Sequence, residues 1–241
     1  MKVTLALLGG LVVLAVIGAF LSGGEPAGRD RLAFTEDTSS SSPTEEVEAE
    51  APVEDASATP TPSPTMKPRS YRGVGDKVVK VKETEDVLLA TLTHAGGSNF
   101  IVEPVDPGGA EQASIVNEIG AYKGTVIVNE YEGKVLRGFK IKADGAWTLT
   151  LKPLTAARPW TAARVSGRGD EVLLVSPASS GLTTVKVNHS GSSNIIVDAY
   201  SEGDRDNLIN EIGSYRGEVL LPDGTILVTV HADGRWTFTK D

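Results

Sequence analysis

The 241-residue sequence contains no cysteine. This absence excludes disulfide bonds, thiolate metal sites, a cysteine nucleophile and the lipid-bearing cysteine that would anchor a bacterial lipoprotein. Aromatic residues are scarce, at 5% of the chain, and 32 acidic residues outnumber 23 basic ones. Because the net charge of -9 repels phosphate groups, we expect neither nucleic acid nor an anionic lipid headgroup as a partner.

Charge is also missing from residues 3–21, a continuous apolar segment. At about 1.5 Å of rise per residue, a helix of this length nearly spans a hydrocarbon core of about 30 Å. Only Lys2 precedes it, so the positive-inside rule places the N-terminus in the cytoplasm and the remainder outside. We interpret residues 1–22 as a single-pass transmembrane helix in the cell membrane. The alternative is a signal peptide, after whose cleavage the remainder is secreted.

Residues 23–70 are rich in Ser, Thr, Pro, Glu and Asp. Such a composition cannot bury enough apolar surface to offset the entropy lost on ordering, so we predict a disordered acidic stalk. Its prolines and its like charges favour extended conformations. A stalk of this kind suits display on the cell surface, across the cell envelope.

The rest of the chain is an internal repeat. Four landmarks occur in the same order in both copies: Gly73-Val-Gly-Asp76 and Gly167-Arg-Gly-Asp170, His94-Ala-Gly-Gly-Ser-Asn99 and His189-Ser-Gly-Ser-Ser-Asn194, Asn117-Glu-Ile-Gly-Ala-Tyr-Lys-Gly124 and Asn210-Glu-Ile-Gly-Ser-Tyr-Arg-Gly217, and Ala143-Asp-Gly-Ala-Trp-Thr148 and Ala232-Asp-Gly-Arg-Trp-Thr237. Self-similarity of this kind indicates duplication. We predict one domain at residues 71–154, a linker at 155–166 and a second domain at 167–241.

Apolar residues alternate with a period of two throughout both copies, which is typical of strands with one buried face. Strands are expected at 77–82, 87–94, 99–103 and 125–129, among six or seven in each copy. Asp144-Gly145 and Asp233-Gly234 separate alternating segments, a pattern that predicts hairpins. The fold class is therefore all-β, with two tandem antiparallel β-sandwich, jelly-roll-like domains.

Comparison of the copies separates shared features from incidental ones. Arg168-Gly-Asp170 spells an integrin-binding tripeptide, but its counterpart is Val74-Gly-Asp76, so a turn with a glycine and an Asx hydrogen bond explains it better. Asn188-His-Ser190 is a formal glycosylation acceptor whose asparagine is replaced by Thr93 in the first copy. Neither motif is expected to carry function.

The repeated histidines are the best candidates for chemistry. Each ends a strand and precedes a Gly-containing loop, and the predicted binding residues here are His94, Ser98, Asn99, His189, Ser193 and Asn194. A structural role, a ligand contact and a Ser-His-Asp arrangement with Asp76 or Asp170 all fit the spacing. His231 aligns with Lys142 and is expected to be exposed. We predict no catalytic residue, no metal ligand and no cofactor.

The Asn-Glu-Ile-Gly-x-Tyr-x-Gly element supplies the remaining predicted binding residues, which are Glu118, Tyr122, Glu211 and Tyr215. Alternatively, the tyrosines pack in a corner with their hydroxyls on backbone carbonyls. Trp147 and Trp236 are in phase with core residues, which favours burial over stacking on sugars. Calcium ligation by Asp198, Glu202, Asp204 and Asp206 competes with an ordinary acidic loop.

The His-x-Gly-x-Ser-Asn, Asn-Glu-Ile-Gly and Ala-Asp-Gly-x-Trp strings resemble an uncharacterised duplicated β-sandwich domain of secreted or membrane-anchored actinobacterial proteins. The strand and glycine spacing is also similar to the jelly-roll domains appended to secreted bacterial peptidases. Neither resemblance implies catalytic residues. We therefore expect a non-enzymatic, envelope-displayed binding or interaction protein whose partner is a cell-wall polymer or a surface protein. A structural spacer is the alternative, and a secreted hydrolase comes third.

Overall fold

The computed structural model describes residues 66–131 and 133–241. The predicted membrane segment at 1–22 and the predicted stalk up to residue 65 lie outside the described residues. Within the described part of the chain, no helix has both the length and the apolar character needed to span a membrane. The first strand begins at Arg69, two residues before the predicted start of the first domain.

The first half of the described chain contains eight strands. They are β1 (Arg69–Val74), β2 (Lys77–Thr84), β3 (Leu88–Ala95), β4 (Asn99–Val105), β5 (Val116–Ile119), β6 (Tyr122–Val128), β7 (Leu136–Lys142) and β8 (Ala146–Pro153). The strands expected at 77–82 and 99–103 fall within β2 and β4. Those expected at 87–94 and 125–129 correspond to β3, which begins one residue later, and to β6, which ends one residue earlier. The count exceeds the predicted six or seven.

A short 3-10 turn (Leu154–Ala156) and β9 (Arg158–Trp160) join the first half to the second half. The second half again has eight strands. They are β10 (Arg164–Arg168), β11 (Glu171–Val175), β12 (Thr183–Ser190), β13 (Asn194–Tyr200), β14 (Arg205–Ile212), β15 (Tyr215–Leu221), β16 (Leu227–Ala232) and β17 (Arg235–Lys240). The segment expected to be a plain linker therefore contains β9 and the start of β10.

The strand order is the same in both halves. In the first half, β1-β8-β3-β6 forms one sheet and β2-β7-β4-β5 the other. In the second half, β10-β17-β12-β15 and β11-β16-β13-β14 repeat these orders, and β9 pairs in parallel with β11 at the edge. The fold is all-β with antiparallel sheets, as predicted, and β9 with β11 is the only parallel pair among the described residues.

The two Asp-Gly pairs do not close hairpins, so that prediction is wrong. β7 and β8 belong to different sheets, as do β16 and β17, and the chain crosses from one sheet to the other at each pair. Neither residue of either pair has a positive φ. Glycine is needed here for close packing, because a Cβ on Gly145 would collide with the Ala95 carbonyl and one on Gly234 with the Ser190 carbonyl.

Each half has its own apolar core between its two sheets. Trp147 and Trp236 are 2% and 1% exposed, so their expected position in the core is confirmed. Each indole covers the first glycine of its half, Gly73 or Gly167, where a Cβ would collide with the ring. The indole nitrogens donate to the Gly75 and Gly169 carbonyls, both at 2.9 Å. Both halves lie in one compact unit.

Candidate functional site

The landmark loops meet at one end of each half, which we call the loop end. In the first half, Gly75 N donates to the Gly145 carbonyl at 3.1 Å, and Gly120 N donates to the Ser98 carbonyl at 2.8 Å. Oδ2 of Asp144 accepts from the backbone N–H groups of Gly97 and Ser98 at 2.9 and 3.0 Å. In the second half, Asp233 accepts equivalent bonds from Ser192 and Ser193. These bonds explain why motifs separated by up to 70 residues repeat together.

The repeated histidines lie inside this scaffold. His94 Nδ1 is 2.7 Å from the Gly120 carbonyl oxygen, its Nε2 is 3.2 Å from Asp144 Oδ1, and its ring stacks on Phe100 at 4.6 Å between centroids. His189 makes the same contacts with Gly213 and Asp233. A carbonyl only accepts, so Nδ1 carries a proton and Nε2 faces the carboxylate. With both histidine side chains 0% exposed, the geometry assigns them a structural role.

Hydrogen bonds to the backbone lower the pKa of the repeated aspartates. Asp144 has its pKa lowered chiefly by the N–H of Gly97. Burial of Asp233 raises the pKa of its carboxyl group, but hydrogen bonds from the N–H groups of Ser192 and Ser193 outweigh burial, so the pKa is lowered. Both side chains therefore remain anionic acceptors that fix the loop.

The other predicted loop residues are exposed but do not form a catalytic arrangement. Ser98 and Asn99 are exposed, as are Ser193 and Asn194. Among the described residues, no serine side chain bonds to either buried histidine. Asp76 accepts from Ala143 N at 2.9 Å, and it makes neither the predicted Asx turn nor a bond to histidine.

The Asn-Glu-Ile-Gly element occupies different environments in the two halves. The Tyr122 hydroxyl donates to Asp170 Oδ2 of the second half at 2.7 Å, so the alternative of a backbone carbonyl acceptor is wrong. Burial, followed by the charge of Asp170, holds the pKa of Tyr122 far above its ordinary value. The Tyr215 hydroxyl has no hydrogen-bond partner among the described residues. Glu211 is exposed, whereas burial raises the pKa of the half-buried Glu118.

A junction between the halves contains the residues that the sequence did not reveal. Asp170, 5% exposed, accepts from Tyr122, from Ala232 N at 3.0 Å and from His231 Nδ1 at 2.9 Å. His231 Nε2 lies 3.9 Å from Glu118 Oε1. His231 therefore bridges the halves rather than pointing freely into solvent as expected. The Arg-Gly-Asp tripeptide places its aspartate inside this junction, which precludes adhesive use of its carboxylate.

A second polar network and an apolar layer complete the junction. The Tyr200 hydroxyl donates to Glu130 at 2.8 Å, and Arg205 bonds Glu130 at 3.2 Å and Asp198 at 3.0 Å. The apolar layer consists of Leu89, Ile127, Ala157, Val172, Tyr200 and Leu227. Asp198 is thus engaged by arginine, and the described residues include no cluster of three or more potential metal ligands.

An open cleft of about 830 Å³ runs along the junction. Its lining includes Glu130, Tyr131, Glu171, Tyr200, Arg205 and His231. None of the ten predicted binding residues lines it. Charge of both signs surrounds the cleft, and its walls are held by the junction bonds.

Both halves expose the same large apolar residue of a landmark, an isoleucine. Ile119 and Ile212, from the Asn-Glu-Ile-Gly landmark, are 79% and 80% exposed. Each pairs in register with the asparagine of the histidine loop, Asn99 or Asn194. The following glycines have φ of +93° and +90°, a conformation that turns the chain sharply and leaves the isoleucine at the corner.

Comparisons with known proteins identify no family. No family model and no curated protein matches the chain. Among solved structures, the regulatory subunit of a cAMP-independent protein kinase A from Trypanosoma cruzi, bound to guanosine, is 9% identical with a TM-score of 0.21, over 69% of this chain and 72% of that one. The Trypanosoma brucei subunit is 8% identical with a TM-score of 0.20, over 72% and 74%. The stem and receptor-binding domain of the bacteriophage PM2 spike protein P1 is 9% identical with a TM-score of 0.20, over 76% and 81%. TM-scores this low do not indicate a shared fold.

Proposed function

We propose that the chain is a non-enzymatic interaction protein, anchored in the cell membrane by residues 1–22 and displayed outside it on an acidic stalk. Secretion after signal cleavage is the alternative. In this proposal the two halves are tandem jelly-roll domains that present a repeated surface to another protein of the cell envelope. The observation that carries the proposal is the matched exposure of Ile119 and Ile212, at 79% and 80%.

The division into two domains is supported by topology and by packing. When the eight strands of each half are numbered from its own first strand, one sheet has the order 1-8-3-6 and the other has the order 2-7-4-5 in both halves. This is the arrangement of an eight-stranded jelly roll. Each half also has a separate apolar core, one centred on Trp147 and the other on Trp236.

The repeated isoleucines are better explained by binding than by folding. A single exposed apolar residue is ordinary, but here the same residue is exposed to the same degree in both halves and contributes little to either core. The repeated histidines, Asp144 and Asp233 are engaged within the fold, since they hold the loops together. This leaves an apolar corner, flanked by an amide and a carboxylate, as the repeated surface.

A protein partner fits this corner better than a wall polysaccharide. Sugar rings are commonly held against aromatic faces, yet all three tryptophans are buried, at 2%, 1% and 1% exposure. An isoleucine instead gains by burial in an apolar pocket, about 25 cal/mol for each Å² removed from water. Two copies would add avidity if both were engaged.

Site-specific photo-cross-linking in intact cells tests the proposal. A photoreactive amino acid replaces Ile212 in the full chain, and the matched control replaces Tyr131, which is 61% exposed and lies beyond the opposite end of β6 from Ile119. We expect a defined adduct from position 212 that protease removes and wall-degrading enzymes do not. The Ile119→Ser, Ile212→Ser double variant should lose partner recovery while remaining folded. Equal labelling from positions 212 and 131 would refute the proposal, and an adduct removed only by wall-degrading enzymes would identify a polymer instead.

One observation favours the alternative of a structural spacer. The junction joins the halves through buried apolar and charged contacts, as a rigid rod requires, including the Tyr122–Asp170 hydrogen bond at 2.7 Å. A spacer needs no partner at the isoleucines. It therefore predicts that the double isoleucine variant retains every function of the chain that depends on its reach from the membrane.

A further inference from the structure

The junction joins two unlike surfaces, which we call the front face and the back face. The front face belongs to the second half and contains Asp170, Val172 and His231. The back face belongs to the first half and contains Tyr122 and Ile127, on the edge strand β6. β11 of the front face packs against β6, and Thr125 N of that edge donates to the Asp170 carbonyl at 3.0 Å.

Because the halves are repeats, each face has a counterpart that the junction leaves unused. The first half has a front face at Asp76, Val78 and Lys142, and the second half has a back face at Tyr215 and Leu220. These positions follow from the landmark alignment and from the strand registers, since β3 pairs His94 with Tyr122 and β12 pairs His189 with Tyr215.

The unused faces expose apolar residues where the junction buries them. Val172 is 1% exposed, whereas its counterpart Val78 is 63% exposed. Ile127 is 9% exposed, whereas Leu220 is 51% exposed. Leu182, at 84% exposure, corresponds to Val87, which packs in the junction layer. Three of the seven large exposed apolar residues in the described chain are therefore counterparts of junction residues.

The polar groups of the unused faces are also available. Asp76 Oδ1 accepts from Ala143 N at 2.9 Å, as Asp170 Oδ1 accepts from Ala232 N at 3.0 Å. In the junction the second carboxylate oxygen of Asp170 accepts a hydrogen bond from the Tyr122 hydroxyl. Asp76 is exposed, and its second oxygen together with the unpartnered Tyr215 hydroxyl would reproduce that bond. β15 also presents an open edge, because it lies at the end of its sheet.

Charged residues also favour contact between the unused front face and the unused back face. Lys142 replaces His231 on the unused front face, and Glu211 replaces Glu118 on the unused back face. The close approach of His231 to Glu118 thus becomes an unlike-charge pair. Exposed Lys77 and Lys80 add positive charge to the front face, whereas exposed Arg216 and Glu218 give β15 of the back face one charge of each sign.

We propose that the unused front face of one chain docks on the unused back face of a second copy, head to tail, with the contacts of the internal junction. Such an interface is heterologous, and unless it closes into a ring it continues from chain to chain. Ile119 is 79% exposed beside the occupied back face, so its counterpart Ile212 would stay exposed after docking. The assembly therefore does not depend on the isoleucine partner.

Cross-linking of full-length chains in membranes tests this contact, and the absence of native cysteine makes it specific. One chain carries Lys142→Cys and another Glu211→Cys, and a short bismaleimide joins thiols brought close together. We expect dimers when the two are mixed and none from either alone. A Lys142→Cys, Glu211→Cys double variant should give a ladder of higher multimers. Glu202→Cys, at an exposed loop position, replaces Glu211→Cys in the control mixture.

Two further substitutions establish whether the faces are unlike. Val78→Glu blocks the front face and Leu220→Glu the back face, and burying an unpaired carboxylate against apolar surface should lower the cross-linked yield at least about tenfold. Placing Leu220→Glu on the Lys142→Cys chain and Val78→Glu on the Glu211→Cys chain leaves the mating faces intact, so the yield should be unchanged. The opposite placement should abolish it.

The outcomes separate this proposal from the proposed function. Full thiol labelling without cross-linked dimers in the mixture would overturn the head-to-tail contact, as would dimers that tolerate the glutamates on the mating faces. The Ile119→Ser, Ile212→Ser variant should retain cross-linking even if it loses its envelope partner. Absence of any adduct from position 212 in chains with both isoleucine sites otherwise unchanged, together with intact multimers, would therefore count against the isoleucine site alone.

Discussion

Replacement of Tyr122 by phenylalanine measures how strongly the halves are joined. The substitution keeps the packed ring and removes only the hydroxyl that donates to Asp170 at 2.7 Å. The Asp170 side chain is 3% exposed, so water cannot readily replace the lost donor, and the remaining bonds from Ala232 and His231 both go to the other oxygen. A hydrogen bond to a charged group contributes about 1.5–3 kcal/mol. We expect the free energy of unfolding to fall by about 2 kcal/mol.

Tyr215→Phe is the matched control in dilute protein, where chains are not associated, because the same hydroxyl in the second half has no partner within the described part of its own chain. Its effect should stay within about 0.5 kcal/mol. Urea denaturation followed by tryptophan fluorescence gives both values, and the corresponding loss in Tm for Tyr122→Phe is roughly 4–8 °C for a chain of this size. Equal effects of the two substitutions would refute the reasoning, since they would show that Asp170 gains nothing from its position at the junction.

Two further predictions test other contacts. Gly167→Ala should lower the free energy of unfolding by about 1–3 kcal/mol, because the new Cβ would be forced into the Trp236 ring. Gly97→Ala is the control, since the space around its Cβ is open, and it should be neutral or slightly stabilising in the same urea titration. Similar losses of stability at both glycines would contradict the packing argument. His231→Gln tests how the stability of the junction depends on pH. The hydrogen bond to Asp170 raises the pKa of His231 above its ordinary 6.5. Burial lowers this pKa, but the charges of Glu118 and Asp233 also raise it. A raised folded-state pKa stabilises the fold fully below about pH 6.5, and this contribution is lost as the pH rises through the raised value. The difference in Tm between wild type and variant should therefore be larger near pH 5 than near pH 9, and a gap that widens toward alkaline pH would reverse the assigned sign.

The strands and the buried tryptophans could be predicted because their signals are local. Alternation with a period of two reports which face of a strand is buried, and Trp147 and Trp236 follow that phase. The Asp-Gly pairs misled because a hairpin signal describes only the turn. Whether the next strand pairs with its neighbour or crosses to the other sheet depends on residues far along the chain. Here the loop containing Gly97 supplies the partners of Asp144.

The junction could not be predicted because identical residues have different environments in the two halves. Val78 and Val172 are the same residue at equivalent positions, yet only Val172 is buried. No local pattern separates Tyr122, bonded to Asp170, from Tyr215. Comparison of Arg168-Gly-Asp170 with Val74-Gly-Asp76 correctly showed a shared turn, but it gave no sign that Asp170 joins the halves. Burial by the neighbouring half is a property of the pair of surfaces and not of either sequence.

Duplication also explains why binding and assembly would reinforce each other without sharing residues. A repeat that packs through unlike faces leaves one face of each kind unused at its two ends, so the contact that joins the halves is offered again to other chains. The isoleucine corners lie beside these faces and remain exposed where the junction is formed. A line of chains would thus carry two such corners per chain, at fixed spacing. When a repeated partner binds one isoleucine corner, the effective concentration of its next binding site at the neighbouring corner would rise. Weak contacts at Ile119 and Ile212 would then give tight binding overall.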